Sequence, residues 1–522
     1  MAETLADRSM PLLPLPALIA EAEECRSGTS ASPRQPGWRR QLGLLSVTMI
    51  LFFNVSGGPL GSEQIVSSVG PLPGLSLLLA FGILFSLPQA MVTAEMSTAF
   101  PQNGGYSLWV QAAFGDFWGL QESYWSWFSG VVDSALYPVL LYSSAAQLLA
   151  YDIVPSADQP LSSNHSHHVC PKDSSDDSDT VNLWVCIGAS PSCAPEYLAK
   201  LAILLVFTSP NLVSVSLVGR VLTTLGVLVL IPFVLLCLVG IPQVRFANLV
   251  IPPVKPDFAN AFSVVYWSLS GFDAASTFAG EVDQPGSTIP RALFTSVGVM
   301  LFFYLVPLTI AAGADPKWIC WLDGSLSTVG YRLGGEWLAV LVLISSCLGN
   351  WGLFASELLE DTYQLLGMAE CGLAPRCFSK RHSVTGTPVR AILFQLGVIA
   401  LLIGLDFSSI MCVDNFFSAA AAILEFAAIV KLRISRPHMA RPYMIPLGTN
   451  ALSAMVLVPC IASCGIMWIT MMDSWTSMVI CLMALLLGII AALPFARPPS
   501  LAQAFTEQQI VPTTEVDDTS SR

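Results

Sequence analysis

Charge is what this 522-residue sequence has least of. Only 11 % of its residues are charged and 54 % are hydrophobic, against roughly 25 % charged in an average globular chain. Mean hydropathy is +0.65. The deficit excludes an ordinary soluble domain and points to an all-α polytopic membrane protein embedded in a lipid bilayer. Nor is a cleavable signal peptide expected from the first residues: Met10–Ala20 is apolar but short and broken by proline. The sequence offers no phosphate-cradling loop, no intramembrane metal pair and no nucleophile with a nearby base. It therefore reads as a non-enzyme without metal or cofactor. The stretch around Cys371, "GMAECGLAP", reads as a glycine-capped helix end rather than a thiol site. The formal net charge of −13 says little about partners, because much of the acid lies in two tails and one loop; no nucleic-acid partner is expected.

What is there is a series of apolar segments of about 20 residues, the length needed to cross a bilayer. Twelve are expected, over 43–67, 74–98, 120–150, 198–218, 221–241, 261–280, 292–312, 337–365, 389–406, 410–431, 450–470 and 475–495. Residues 1–40 and 497–522 read as cytoplasmic tails. With both termini inside, seventeen of the 23 Lys and Arg residues fall on the cytoplasmic side, as the positive-inside rule requires. The long loop 151–197 is then external. It carries a glycosylation sequon at Asn164, three of the five histidines and Cys170, Cys186 and Cys193. It reads as a solvated polar loop rather than a metal site, and one disulfide among its cysteines is plausible in an oxidising compartment, with the pairing open. The remaining cysteines read as small buried apolar residues.

The first span is interrupted by "NVSGGPLGSE", residues 54–63, with three glycines and a proline between Gly57 and Gly61. The sixth is interrupted by "YWSLSGFDAAST", residues 266–277, with Ser268, Ser270, Gly271 and Asp273 amid apolar sequence. Broken backbone at membrane depth is tolerated where it lines a cavity, and glycine lets backbone groups face a ligand with no Cβ in the way. Two breaks five spans apart suggest two inverted five-helix repeats, 41–241 and 261–431, followed by two further helices over 450–496.

Acids without cations are the second signal. Asp133, Asp273 and Glu357 lie deep in spans, and Lys and Arg are nearly absent there. Intramembrane charge is costly and needs a partner or a cavity. A site of acids alone fits a small cationic amine without a carboxylate, or protons or sodium. Glu95 and Glu425, nearer the inner ends, are expected to pair with inner-loop arginines.

Several motifs then carry a resemblance. "FFNVSGGPLGSE", "TAEMSTAFPQNGGYSLWVQAAFG", "WFSGVVDSALYPVLLY", "STFAGEVDQPGSTIPRAL", "ILEFAAIVKLR" and "RPYMIPLGT" resemble the amino acid–polyamine–organocation superfamily, and within it the plant and protist polyamine uptake transporters, close to the L-type amino acid transporters. The resemblance covers roughly residues 40–450. It implies a substrate site between the broken first and sixth helices, flanked by the third, eighth and tenth. Ser56, Gly57, Gly58 and Gly61 match the stretch that holds a substrate carboxylate in the amino-acid carriers, and Gly271 lies in the opposing break. Asp133, Asp273 and Glu357 match acids of the polyamine group, where they would hold ammonium groups, while Tyr137, Trp267 and Phe272 would supply cation–π contacts or cover the methylene chain. Glu357 and Asp133 are the candidates for a coupling proton. The loop 151–197 is longer than in that family.

The function expected is import of putrescine or spermidine by proton-coupled alternating access at the plasma membrane, or at an endomembrane. The alternatives are a neutral or cationic amino acid carrier of the same fold and, less well supported, a non-transporting nutrient receptor.

Overall fold

The structure is a computed structural model that describes residues 40–149, 194–253, 255–403, 407–473 and 475–493. Both tails, Asn164, the loop histidines and Cys170, Cys186 and Cys193 lie outside the described residues. Within them the fold is helical, with two isolated β-bridges as its only extended pairing. That is the solution expected where no water can satisfy backbone polar groups.

The first segment is α1 (Leu44–Val55) and α2 (Glu63–Val69). The second is α3 (Pro71–Phe81), a π-helical turn (Gly82–Ser86) and α4 (Leu87–Ala99). After the short α5 (Tyr106–Phe114), the third is α6 (Asp116–Ser134) and α7 (Leu136–Leu149). Then come α8 (Ala194–Val213), α9 (Val215–Gly240) and a short α10 (Phe246–Leu249). The sixth segment is α11 (Phe258–Leu269) with 3-10 turns at Phe272–Ser276 and Ala279–Glu281. It is followed by α12 (Pro285–Ala314), α13 (Ser325–Gly334), α14 (Glu336–Glu370), α15 (Val389–Leu402), α16 (Phe407–Ser435), α17 (Thr449–Asp473) and α18 (Trp475–Ala492). Helix occupies each of the twelve expected stretches, and among the described residues 7 helical segments are by themselves long and apolar enough to cross a membrane. The fourth and fifth segments divide at Ser214 rather than near residue 219. Ser214 is extended and its side chain accepts from the Leu217 N–H, capping α9.

The perimeter carries large exposed apolar side chains such as Leu205, Leu238, Ile461 and Trp468, as a lipid-facing surface should. The core is formed where α1 packs against α9, α12 and α14, and α16 packs against α6. Both breaks are in that core. Gly58 (φ +104°) and Gly271 (φ +101°) take backbone conformations that L side chains rarely adopt. Ser56 Oγ accepts from Gly58 N at 3.1 Å and donates to Gly58 O at 3.0 Å, holding the unwound turn. The π turn of the second segment serves the other break: Ser86 Oγ donates to the Leu269 carbonyl at 2.6 Å, satisfying an end that α11 leaves open.

Glu95 is paired as expected. It is buried and held by Arg433 and Arg441, with the Ile445 N–H donating to it at 2.9 Å. Glu425 is not paired with arginine: Arg433 is consumed by Glu95 and by the carbonyls of Leu447 and Ile445. The cysteines also depart from the simple reading. Cys412 and Cys481 are buried, but Cys377 and Cys464 are exposed, and neither Cys320 nor Cys371 is a free thiol.

At one end of the bundle the loop before α13 meets α2. Glu63 Oε1 accepts from Gly324 N at 3.2 Å, and Gln64 Nε2 donates to Asp323 Oδ2 at 2.9 Å. Asp323 lies in the loop before α13, and burial pushes its carboxyl up to about 6. A carboxyl raised in the folded state contributes stability that is complete below its ordinary value of about 3.9 and is lost as pH rises through about 6. The protein should therefore be more heat-stable at about pH 4 than at about pH 7 through this group, by at most about 3 kcal/mol. Asp323→Asn, which keeps the Gln64 hydrogen bond, should flatten that dependence and raise the midpoint at neutral pH; an unchanged pH profile of thermal unfolding would contradict this.

Candidate functional site

The breaks face each other. A Cβ on Gly271 would lie 3.3 Å from the Asn54 carbonyl oxygen, so the backbones of the first and sixth segments pass at close to van der Waals distance. Between them is a cavity of about 80 Å³, lined from the first segment by Asn54, Ser56 and Gly57 and from the sixth by Trp267, Ser270, Gly271 and Asp273. The α6–α7 segment adds Ser126, Ser129, Asp133 and Tyr137. Glu357 and Glu360 enter from α14, and Asp414 and Ser418 from α16.

Of the residues singled out from sequence, Ser56, Gly57, Asp133, Tyr137, Trp267, Gly271, Asp273 and Glu357 are brought together around this cavity. Gly58, Gly61 and Phe272 do not line it. Gly58 turns against Phe233, Gly61 packs on the Trp267 ring, and Phe272 is fully buried in the core. Glu360, Asp414, Tyr106, Asn54, Ser126, Ser129 and Ser418 line the cavity but were not singled out. Glu360 is one turn beyond Glu357, on the same face of α14. Asp414 is an acid in an otherwise apolar run, a signal of the same kind as Asp133.

Each acid has its own support. Asp133 is held by two neutral donors: Trp267 Nε1 donates to Oδ1 at 2.9 Å, and the Tyr137 hydroxyl donates to Oδ2. The aromatic side chains thus orient an anion as well as walling the cavity. Asp414 accepts from Ser129 Oγ. Glu360 accepts from Asn54 Nδ2 and, at 3.1 Å, from the Tyr106 hydroxyl. Asp273 lies in the 3-10 turn Phe272–Ser276 that follows Gly271, at the end where the turn's amides begin. Among the described residues Glu357 has no hydrogen-bond donor within the protein. Behind the wall, Asp361 is bound by Gln395 Nε2 at 2.6 Å. Glu425 stands beside Asp273.

Five carboxyl groups therefore line one cavity, and no Lys, Arg or His does. They fall into two poles. Asp133, Glu357 and Asp414 interact with one another, Asp273 interacts with Glu425 and Glu122, and Glu360 is within electrostatic reach of both Asp133 and Asp273. Such a site attracts cations and repels anions.

On the opposite side from α13, backbone and charge hold the segment ends together. Asn103 pairs with Phe278, and the N–H groups of Gln41 and Leu42 donate to the Glu281 carbonyl at 2.9 and 3.1 Å. Arg381 NH1 binds Glu281 Oε1 at 2.8 Å, while Asn103 donates to the same oxygen at 2.9 Å. These contacts tie the end of the sixth segment to the loops after the second and eighth.

The amino acid permease family model matches residues 42–491, nearly all of the helical part. The chain belongs to the amino acid permease family. It is 37 % identical over 445 residues to a "probable polyamine transporter" of Arabidopsis thaliana, covering 84 % of each chain. It is 36 % identical over 434 residues to a polyamine transporter of Oryza sativa subsp. japonica, covering 83 % of this chain and 74 % of that one. A branched-chain amino acid permease of Bacillus subtilis is a more distant relative, 24 % identical over 289 residues, 54 % of this chain and 60 % of that one. This permease is thus an integral membrane transporter of small amines or amino acids, not an enzyme.

Proposed function

We propose that this permease imports polyamines, putrescine and spermidine first, by alternating access coupled to protons. The observation that supports it is the cavity of five carboxyl groups without a basic residue. An amino acid's carboxylate would meet five like charges there, whereas a diamine would neutralise two poles at once. The volume of about 80 Å³ is room for roughly five to eight waters, comparable to the non-hydrogen atoms of putrescine. The relatives named as polyamine transporters support the same reading.

The plasma membrane is the proposed site and both termini are proposed to be cytoplasmic, on the count of basic residues. The face where Arg381 pairs with Glu281 is then the inner one, and the inside-negative potential would favour a polycation's entry by about 2.3 kcal/mol per charge per 100 mV.

Radiolabelled putrescine uptake at about pH 5.5 and about pH 7.5, in cells expressing the permease or Asp273→Asn, tests this. Saturable uptake that is faster in acid and at least roughly tenfold lower in the variant is expected, from the loss of one charge-assisted hydrogen bond. The unwound backbone at Ser56–Gly57 is the feature that favours the amino-acid alternative. If surface-expressed protein takes up leucine or arginine and ignores putrescine and spermidine, that alternative replaces the polyamine reading.

A further inference from the structure

Behind the cavity wall is a group of acids the substrate does not need to touch. Asp273 reaches the cavity, and on its other side it stands next to the buried Glu425. Two carboxyl groups side by side in a buried site hold a proton between them, because two like charges there do not both ionise. Glu122 of α6, fully buried, is the third member, within electrostatic reach of both. The hydroxyls of Ser107 and Ser126 are close to Glu122, but neither of its oxygens makes a hydrogen bond of normal geometry. One oxygen of Glu425 is likewise unpartnered. The other titratable groups facing these acids are Tyr106, Tyr266 and Glu360, and no basic side chain does so among the described residues. A buried anion without cation or donor is among the most expensive things a membrane protein can hold, so these positions call for an occupant.

We propose that Glu425 and Glu122 store the coupling proton, with Asp273 as the gateway through which it enters and leaves. This rests on the transport reading above and moves the proton away from Asp133 and Glu357, which line the cavity and stay free to bind the amine. The order follows from geometry. A proton from cavity water binds Asp273. The O–H bond on Asp273 breaks as one forms on Glu425, and from there the proton is shared with Glu122. Asp273 is left as the carboxylate that the incoming ammonium needs. On the far side the amine departs first, and the proton returns through the vacated Asp273. One proton therefore moves with each amine, in the same direction, and Asp273 cannot serve the two at once.

The test uses the full-length permease in proteoliposomes, with radiolabelled putrescine and an imposed acid-outside gradient. In Glu425→Gln and Glu122→Gln, gradient-driven accumulation should fall by roughly tenfold or more while putrescine–putrescine exchange keeps a KM within about twofold of the wild type. A merely structural role would depress both activities together, and that result overturns the proposal, as does accumulation at the wild-type level in both variants. Wild-type uptake indifferent to the gradient also overturns it, while leaving amine transport standing. If the wild type takes up no amine, the substrate reading falls by itself. The store is then read by infrared spectroscopy: a protonated-carboxyl C=O band at neutral pH, lost in Glu425→Gln, upholds it, and an unchanged spectrum overturns it.

Discussion

Asp133→Asn should raise the KM for putrescine by about 10- to 100-fold and leave the protein folded and at the surface. The magnitude follows from replacing a charged acceptor by a neutral one, worth about 1.5–3 kcal/mol per hydrogen bond to a charged group, at about 1.4 kcal/mol per factor of ten. The substitution isolates charge from shape because of how Asp133 is held. Trp267 Nε1 donates to one carboxylate oxygen and the Tyr137 hydroxyl to the other. An asparagine can keep both contacts: Oδ1 accepts from Trp267, and Nδ2 donates to Tyr137, whose hydroxyl turns to accept. Only the negative charge facing the cavity disappears. Asp133 belongs to the pole with Glu357 and Asp414, while Asp273 serves the other. A molecule with two ammonium groups should therefore suffer in either variant. A monoamine, able to use the remaining pole, should lose less than threefold, by the same arithmetic at under about 0.7 kcal/mol. Competition assays with putrescine and butylamine separate the two. Equal losses for both amines would mean that the acids act as a common field rather than as two sites.

The fold was legible because its punctuation is chemical. Glycine, proline and serine inside apolar runs marked both breaks, and the structure puts the unwound turns at Ser56–Ser62 and Ser270–Gly271. The acids were legible only singly. Asp133, Asp273 and Glu357 stand out as isolated charges in apolar sequence. Glu360 and Asp361 fall inside the expected eighth span, 337–365, but were not singled out beside Glu357; α14 stays buried for two more turns, to Ala369. Glu122, near the start of the expected span 120–150, was not singled out. Glu425 was misread for a reason sequence cannot remove. Arg433 is two turns away on the same helix and looks like its partner, but Glu95 arrives from α4 and takes it. Which of two acids captures an arginine depends on packing between helices far apart in the chain.

Gly58→Leu should abolish measurable uptake while expression stays near normal, even though Gly58 does not line the cavity. Its φ of +104° costs an L side chain about 1–3 kcal/mol. A Cβ there would approach Phe233 Cε2 at 3.0 Å and Val229 Cγ1 at 3.5 Å, so the rest of a leucine has no room against α9. The strain is smaller than the total stability of a typical domain, about 5–15 kcal/mol, so the chain should still fold by shifting the turn. That shift reaches the cavity through Ser56, whose hydroxyl is tied to both the N–H and the carbonyl of Gly58, and through Gly57, which lines the cavity and is backed by Leu353 of α14. Displacing either by about 1 Å is enough to cost two orders of magnitude in a positioned site. Gly43→Ala is the control on the same segment: it has a φ of −89° and open space around it, and should transport as the wild type does. Gly58→Ala, with the strain but little of the bulk, should fall between them. Surface biotinylation beside uptake reads all three. If Gly58→Leu reaches the surface and carries putrescine at the wild-type rate, the unwound turn plays no part in transport, and the break in the first segment needs another explanation.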